Sequence, residues 1–236
     1  MPRPSDPLAR VRLLAAARKV FVEKGLDRAK VEDITQAASL SKGAFYLHFE
    51  SKEQAFTEIL SEALQEVEEI VTRGHREHQD SYAKGLDQML SEILERDIEI
   101  FEVVWKHRAI MGLVMLEGGG SADYQHLTEM FVQRIEKQTE ELIAFGIDRG
   151  YYRPDIDPVS AAAFCSGGFD RVACQMLREK KKPDFRALIR QIHLYVMHAF
   201  GTPELIEIAE RVYKDDSAPI SSVSREQRAA KTSRLA

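Results

Sequence analysis

Apolar residues recur along this chain with helical spacing almost from end to end. From about Asp6 to Lys24, the positions Leu13, Leu14, Ala17, Val20 and Phe21 trace one helix face. Gly25 follows as a C-terminal cap, since glycine adopts a left-handed backbone without steric cost. A second helix is predicted from about Val31 to Ala38, with Val31, Ile34 and Ala38 facing inward, and a third from about Lys42 to His48, with Ser41 as its N-cap. A long fourth helix is predicted to open near Ser51, carry Phe56, Ile59, Leu60, Ala63, Leu64, Val67 and Val71 inward, and stop near Gly74.

A polar break is expected over residues 74–80, followed by longer helices at about 81–96, 98–117, 122–149, 158–179 and 184–200, with a short one at 203–213. The punctuation is the Gly118-Gly119-Gly120 run, the loop from Gly150 to Pro158, and Lys180 to Pro183. From Asp215 onward no apolar period survives, and a disordered tail is expected. No strand-like alternation and no internal repeat is evident. The pattern predicts an all-α chain: an amino-terminal three-helix head (1–50), a helical body (51–213) and a tail (214–236).

Composition changes this picture little: 44% hydrophobic and 30% charged residues suit a globular protein with a sizeable core. The two cysteines argue against a disulfide framework. If Cys165 and Cys174 share a helix they stand about 13.5 Å apart, too far for a bridge. No secretory signal is legible at the amino terminus, and the best candidate for a membrane span, Ile98 to Leu116, is interrupted by Glu99, Glu102 and Lys106-His107-Arg108. The expectation is a cytoplasmic protein.

Charge is informative through its distribution. The net charge of -5 gives no support to nucleic-acid binding, but residues 1–52 hold ten Lys and Arg against six Asp and Glu, a surplus of four, which leaves -9 for the remainder. A basic head on an acidic body suits a protein that meets a polyanion at one end.

The third helix sharpens that reading. Phe45 and Phe49 lie four residues apart and are placed to pack, while Lys42, Tyr46 and His48 are left for another partner. Two short helices with a turn of about three residues between them match the geometry that sets a recognition helix in the major groove. Lys42 opens the helix, where ammonium and free backbone N–H groups both attract phosphate. Gly43 and Ala44 are small enough for close approach to base edges, Tyr46 offers a ring and a hydroxyl, and His48 and Lys52 flank the helix toward phosphates. A surface helix with a solvated lysine and half-buried aromatics is the competing interpretation.

The stretch from Val11 to Phe56 resembles the N-terminal domain of the tetracycline-repressor (TetR) family of bacterial transcription regulators. The matching marks are Ala16-Ala17, Phe21 and Gly25, then Asp33-Ile34, then Ser41-Lys42-Gly43, Phe45-Tyr46 and His48-Phe49, and finally Ser51-Lys52-Glu53. Three positions depart from the family pattern: Ser39 stands where glycine is usual in the turn, Ala44 where threonine is frequent, and Ala29-Lys30 where a hydroxyl pair is frequent. The resemblance implies base-edge contacts from Lys42, Ala44 and Tyr46, with Thr35 and Gln36 as further candidates. It assigns phosphates to Lys30, Ser41, His48 and Lys52. It also implies a homodimer on palindromic double-stranded operator DNA, released by a small-molecule effector, with no cofactor.

For the dimer face the candidates are Ala161, Gly168, Leu188, Ile192, Tyr195, Val196 and Ala199 on the last two long helices. For the effector pocket they are Phe101, Trp105, Met111, Met115, Tyr124, Phe131, Phe164 and Phe169, whose bulk suggests a hydrophobic or aromatic ligand. Ordinary core packing competes with both readings. An activator or a nucleoid-associated protein could carry the same head. A helical-bundle enzyme fits poorly: Glu-x-x-His pairs are absent, Asp123-x-x-His126 being the nearest approach. His75-x-x-His78 falls in a polar stretch, no nucleophile motif or phosphate loop occurs, and no catalytic or metal site is expected.

Overall fold

The computed structural model describes residues 7–83, 85–116 and 122–215; the side chains of residues 7, 75–83, 122–125 and 215 lie outside that description, as does the expected tail beyond residue 215. Ten helices form among the described residues: α1 (Pro7–Lys24), α2 (Val31–Ala38), α3 (Lys42–Tyr46), α4 (Lys52–Ala83), α5 (Leu86–Lys106), α6 (Arg108–Met115), α7 (Ala122–Asp148), α8 (Pro158–Met176), α9 (Phe185–Phe200) and α10 (Pro203–Asp215). The all-α expectation holds, and the only extended pairing among the described residues is an isolated antiparallel bridge between Tyr152 and Gly201. That bridge ties the loop after α7 to the end of α9, with Arg153 N–H donating to Phe200 C=O at 3.0 Å and Thr202 N–H to Tyr151 C=O at 3.0 Å.

Two expected breaks are absent. The first was placed at Gly74, yet α4 runs through it to Ala83. A Cβ at Gly74 would collide with the Arg96 side chain, so this glycine serves close approach of α4 to α5 instead of ending a helix. The second was placed at Asp97, which sits inside α5 because its carboxylate is satisfied by Arg96 and His193. The real interruption comes at His107, where φ -97° and ψ 14° part α5 from α6. Elsewhere local chemistry sets the boundaries as expected: Gly25 takes φ 73°, Asp157 caps α8 by accepting from Ser160 N–H at 2.9 Å, and Asp184 caps α9 by accepting from Ala187 N–H at 3.1 Å.

The core falls into two large clusters and a small one. The first contains Leu13, Phe21, Ile34, Phe45 and Phe49 of the head region, but it continues into Phe56, Ile59 and Leu60 of α4 and Ile110, Met111 and Leu113 of α6. Phe21 and Phe56 meet edge to face at 5.4 Å, a pairing worth roughly 0.5–1.5 kcal/mol beyond burial. The second cluster joins Leu90, Leu94 and Phe101 of α5 to Phe185, Ile189 and Met197 of α9 and to Leu205 and Tyr213 of α10. The third is Ile143 with Ala161 and Ala162. Helix α4, at 32 residues about 48 Å long, contributes to both large clusters.

Candidate nucleic-acid interface and body cavity

The turn between α2 and α3 is built on Ser39, whose φ 53° and ψ 45° place a non-glycine residue in the left-handed region. That conformation costs an L-residue roughly 1–2 kcal/mol. It is held by Ser39 N–H donating to Gln36 C=O at 3.1 Å and Leu40 N–H donating to Thr35 C=O at 2.9 Å. Ser41 then caps α3, its Oγ accepting from Ala44 N–H at 3.1 Å. The helix proper ends at Tyr46, two residues earlier than expected, and turn-type hydrogen bonds carry the chain on to Phe49.

Phe45 and Phe49 are buried, with ring centroids 5.4 Å apart. They fix the inward side of this segment. Lys42 and Gly43 are exposed, Ala44 and His48 are half-buried, and Tyr46 is 58% exposed. At about 100° per residue the direction opposite the two phenylalanines is that of Gly43 and Leu47. Leu47 is 63% exposed and was not singled out from sequence, although the helix expected from Lys42 to His48 includes it.

The head's charges are extensively engaged within the chain. Lys42 pairs with Glu32 of α2, whose carboxyl that hydrogen bond lowers, while the same bond raises the Lys42 ammonium. Both side chains are 54% exposed, so the link is weak and easily exchanged. Lys24 pairs with Asp33 at 2.8 Å, and Asp33 also accepts from Lys30 N–H at 3.0 Å. Arg12 donates to Ala38 C=O at 2.5 Å, closing the end of α2. The side chain of Lys30 is exposed at the start of α2, and Gln36 is exposed near its end.

Two expected contact residues are employed otherwise. Thr35 is buried and its hydroxyl donates to Glu32 C=O at 3.1 Å, as α2 turns it toward the core. Lys52 spends its three N–H groups on Leu26, Asp27 and Ala29 C=O at 2.8, 3.1 and 2.9 Å. It braces the loop between α1 and α2 instead of presenting its charge to a phosphate.

The body holds a partly open cavity of about 280 Å³. Of the expected wall residues, Phe101, Met111, Met115, Phe131 and Phe169 line it. Trp105 does not: its ring lies 6.3 Å from Phe185 and carries the Arg108 guanidinium at 4.8 Å. Phe164 also does not, because it turns outward on α8, 65% exposed, with its ring edge-on to Phe200 at 5.8 Å. The Tyr124 side chain lies outside the described residues.

Sequence reading missed the cavity's polar groups, among them Arg96, Asp97, Gln138, Asp170 and His193. Burial pushes the Asp97 carboxyl up, but the Arg96 guanidinium and His193 overcome it and bring it down to about 2. His193 Nε2 lies 2.9 Å from Asp97 Oδ2, its Nδ1 3.1 Å from Tyr213 Oη, and Tyr213 donates to Leu90 C=O at 3.4 Å. The available signal was an ionisable residue in each of two apolar rows, Leu94-Asp97-Phe101 and Ile189-His193-Met197.

Cavity and head share parts. Met111 belongs both to the cavity wall and to the head cluster. Beside it His107 is buried at the α5–α6 break, where Arg18 of α1 donates to its Nδ1 at 3.2 Å. That leaves Nε2 to carry the proton and donate to Glu66 of α4 at 3.0 Å. One imidazole therefore joins the first head helix, the long α4 and the cavity-lining segment.

On the outer face of the body, Tyr195 and Phe164 are each 65% exposed and Val159 59%. Gly168 is exposed, and a Cβ at Gly167 or Gly168 would meet nothing within 4 Å, so no packing among the described residues demands glycine there. Ala161, expected on this face, is instead buried against Ile143. Leu188, Ile192 and Val196 are half-buried against the second core cluster, and Ala199 is half-buried. Among the described residues no group of three or more His, Cys, Asp or Glu could hold a metal, and the His75 and His78 side chains fall outside them. No helix among them is long and apolar enough to cross a membrane.

Residues 13–59 match the model for bacterial regulatory proteins of the tetR family. The transcriptional repressor KstR2 of Mycobacterium tuberculosis is 28% identical over 149 residues, which are 61% of this chain and 70% of that protein. The crystal structure of NalD, the secondary repressor of the MexAB-OprM multidrug efflux pump in Pseudomonas aeruginosa, aligns with a TM-score of 0.67 at 21% identity, covering 83% of this chain and 97% of NalD. The SmeT–triclosan complex aligns with the same TM-score, 0.67, at 18% identity, covering 84% of this chain and 94% of SmeT. At these identities the two structures speak for the shared fold.

Proposed function

The chain belongs to the tetR family of bacterial regulatory proteins, and we propose that it is a homodimeric, effector-released repressor of transcription in the cytoplasm, without a catalytic role. The observation that carries this reading is the third helix: Phe45 and Phe49 anchor it, Gly43 and Leu47 face away from them, and Lys42 and Tyr46 stand exposed on its flanks. Residues 1–50 serve as the reading head, and 51–213 as the body that binds effector and partner. Lys42, Gly43, Ala44, Tyr46 and Gln36 face base edges, while Lys30, Ser41 and His48 hold phosphates.

A single head reads too few base pairs to be selective, so two copies dock on half-sites about 34–36 Å apart or a multiple of that. The outward row of Phe164, Gly168 and Tyr195 supports a copy-to-copy face on α8 and α9. Effector in the cavity favours a different setting of α6 against α4, and Met111 and the His107 link carry that change to α1. The effector must bind the DNA-free setting more tightly, since equal binding to both shifts nothing. The triclosan bound to SmeT supports a small apolar molecule as the effector class.

The test is anisotropy of labelled fragments from the chain's own promoter region at low ionic strength, with a reporter assay beside it. Saturable, fragment-selective binding and lowered reporter output are the expected results. Raised output would make the protein an activator, and equal affinity for all fragments would make it a nucleoid protein.

A further inference from the structure

Among the described residues, one buried side-chain nitrogen or oxygen has no hydrogen-bond partner: Oε1 of Gln138, a residue of the cavity lining. Native interiors rarely leave such a group unmet, because its desolvation is uncompensated. Arg96, Asp97, His193 and Thr139 of the same wall have partners within the chain. Asp97 is held by Arg96 and His193, both His193 ring nitrogens have partners, and the Thr139 hydroxyl donates to Ile135 C=O at 2.9 Å. Gln138 is therefore the wall residue that a bound molecule would complete.

Charge narrows the class. Among the described residues Arg96 is the only lysine or arginine on the wall, and it faces Asp97 through two contacts of 2.9 Å. Asp170 adds a second carboxylate to the lining. An anionic ligand would meet no unmatched cation and would be repelled by Asp170. The rest of the wall is mainly apolar, with Phe101, Phe131, Met111 and Met115 around a volume of about 280 Å³, at the small end of ligand pockets, and Tyr152, Cys165 and Ser166 add neutral polar atoms to it. The two ends of a carboxamide are interchangeable by rotation, so the buried atom calls for a donor in one setting and an acceptor in the other. A hydroxyl supplies both.

We propose that the cavity takes a compact, uncharged, mainly apolar ligand bearing a hydroxyl group, and that Gln138 is the residue that selects the hydroxyl. This rests on the reading of the cavity as the effector site. The probes are three molecules of one shape and different polar group: 1-naphthol, naphthalene and 1-naphthoate, titrated calorimetrically into the full chain. The expected order is naphthol tightest, by roughly fivefold to tenfold over naphthalene as one buried hydrogen bond gives, with naphthoate weakest.

In Gln138→Leu, naphthol falls to the affinity of naphthalene, which itself is unchanged or improved. The unliganded variant melts at or above the parent temperature, since an unmet amide has been removed. Gln138→Met repeats the comparison with a more adaptable side chain should leucine pack poorly. The inference is overturned if naphthol affinity survives both substitutions, if naphthoate binds tightest, or if none of the three binds at its solubility limit. Promoter binding by the unliganded chain is measured in parallel: intact DNA binding with a failed titration removes only the ligand class, whereas lost DNA binding with a successful titration removes the regulatory reading.

Discussion

Head and body use polar groups in opposite ways. In the head the interior is apolar apart from the Thr35 hydroxyl, with Phe21, Phe45, Phe49 and Phe56 packed in one cluster, and the charged side chains work at the edges. Lys52 and Arg12 donate to backbone carbonyls at loop and helix ends, and the α2 acids Glu32 and Asp33 each hold a lysine. In the body ionisable groups go inside: Asp97 and His193 are buried beside the second cluster, next to a cavity. A block that must present one surface in one shape gains from a dry core. A block that must accept a guest needs space and polar groups to recognise it.

The sharpest way to break this contrast is Phe45→Ala. It should cost about 3–5 kcal/mol in denaturant unfolding and abolish promoter binding. The body should still take its ligand; if head and body fail together, the two do not differ as described.

Acid offers a second handle, on the body alone. The Asp97 carboxyl falls from 3.8 to about 2 in the folded chain, so its stabilisation is fully present above pH about 4 and is lost as pH drops through about 2. The depression corresponds to about 2 kcal/mol. Thermal melts between pH 5 and pH 2 should show that loss in the parent and a flatter profile in Asp97→Asn.

Next in size is Lys52→Met, which leaves three carbonyls unanswered. A loss of about 1–3 kcal/mol in thermal or chemical unfolding is expected, with the salt dependence of DNA binding preserved. A shallower salt slope would return Lys52 to the phosphate ligands. The smallest effect on stability belongs to Lys42→Ala, within about 0.5 kcal/mol because the residue is exposed. Its expected signature is a drop of about one in the slope of log affinity against log salt.

The head was more legible than the body, for a physical reason. Its helices are short and capped locally: Gly25 and Ser41 act where their side chains and backbones dictate. What escaped was tertiary. Lys52 reads as a basic flank until the loop carbonyls it holds are seen around it, and Thr35 reads as polar surface until α2 turns it inward. In the body, Gly74 and Asp97 carry the local marks of interruptions, but packing against Arg96 and His193 overrides those marks. Phe164 and Trp105 show that aromatic bulk does not say which side of a helix wall a ring will take, whereas five of the eight expected wall residues did reach the cavity.

Everything functional in this molecule turns on whether the exposed side of the third helix meets DNA. The direct measurement is anisotropy of promoter fragments at low ionic strength with the full chain and with a Lys42→Ala, Tyr46→Ala double variant whose melting temperature matches the parent. Binding by the parent and loss of at least tenfold in the variant is the expected result. Equal binding by both would place the DNA contact elsewhere on the molecule.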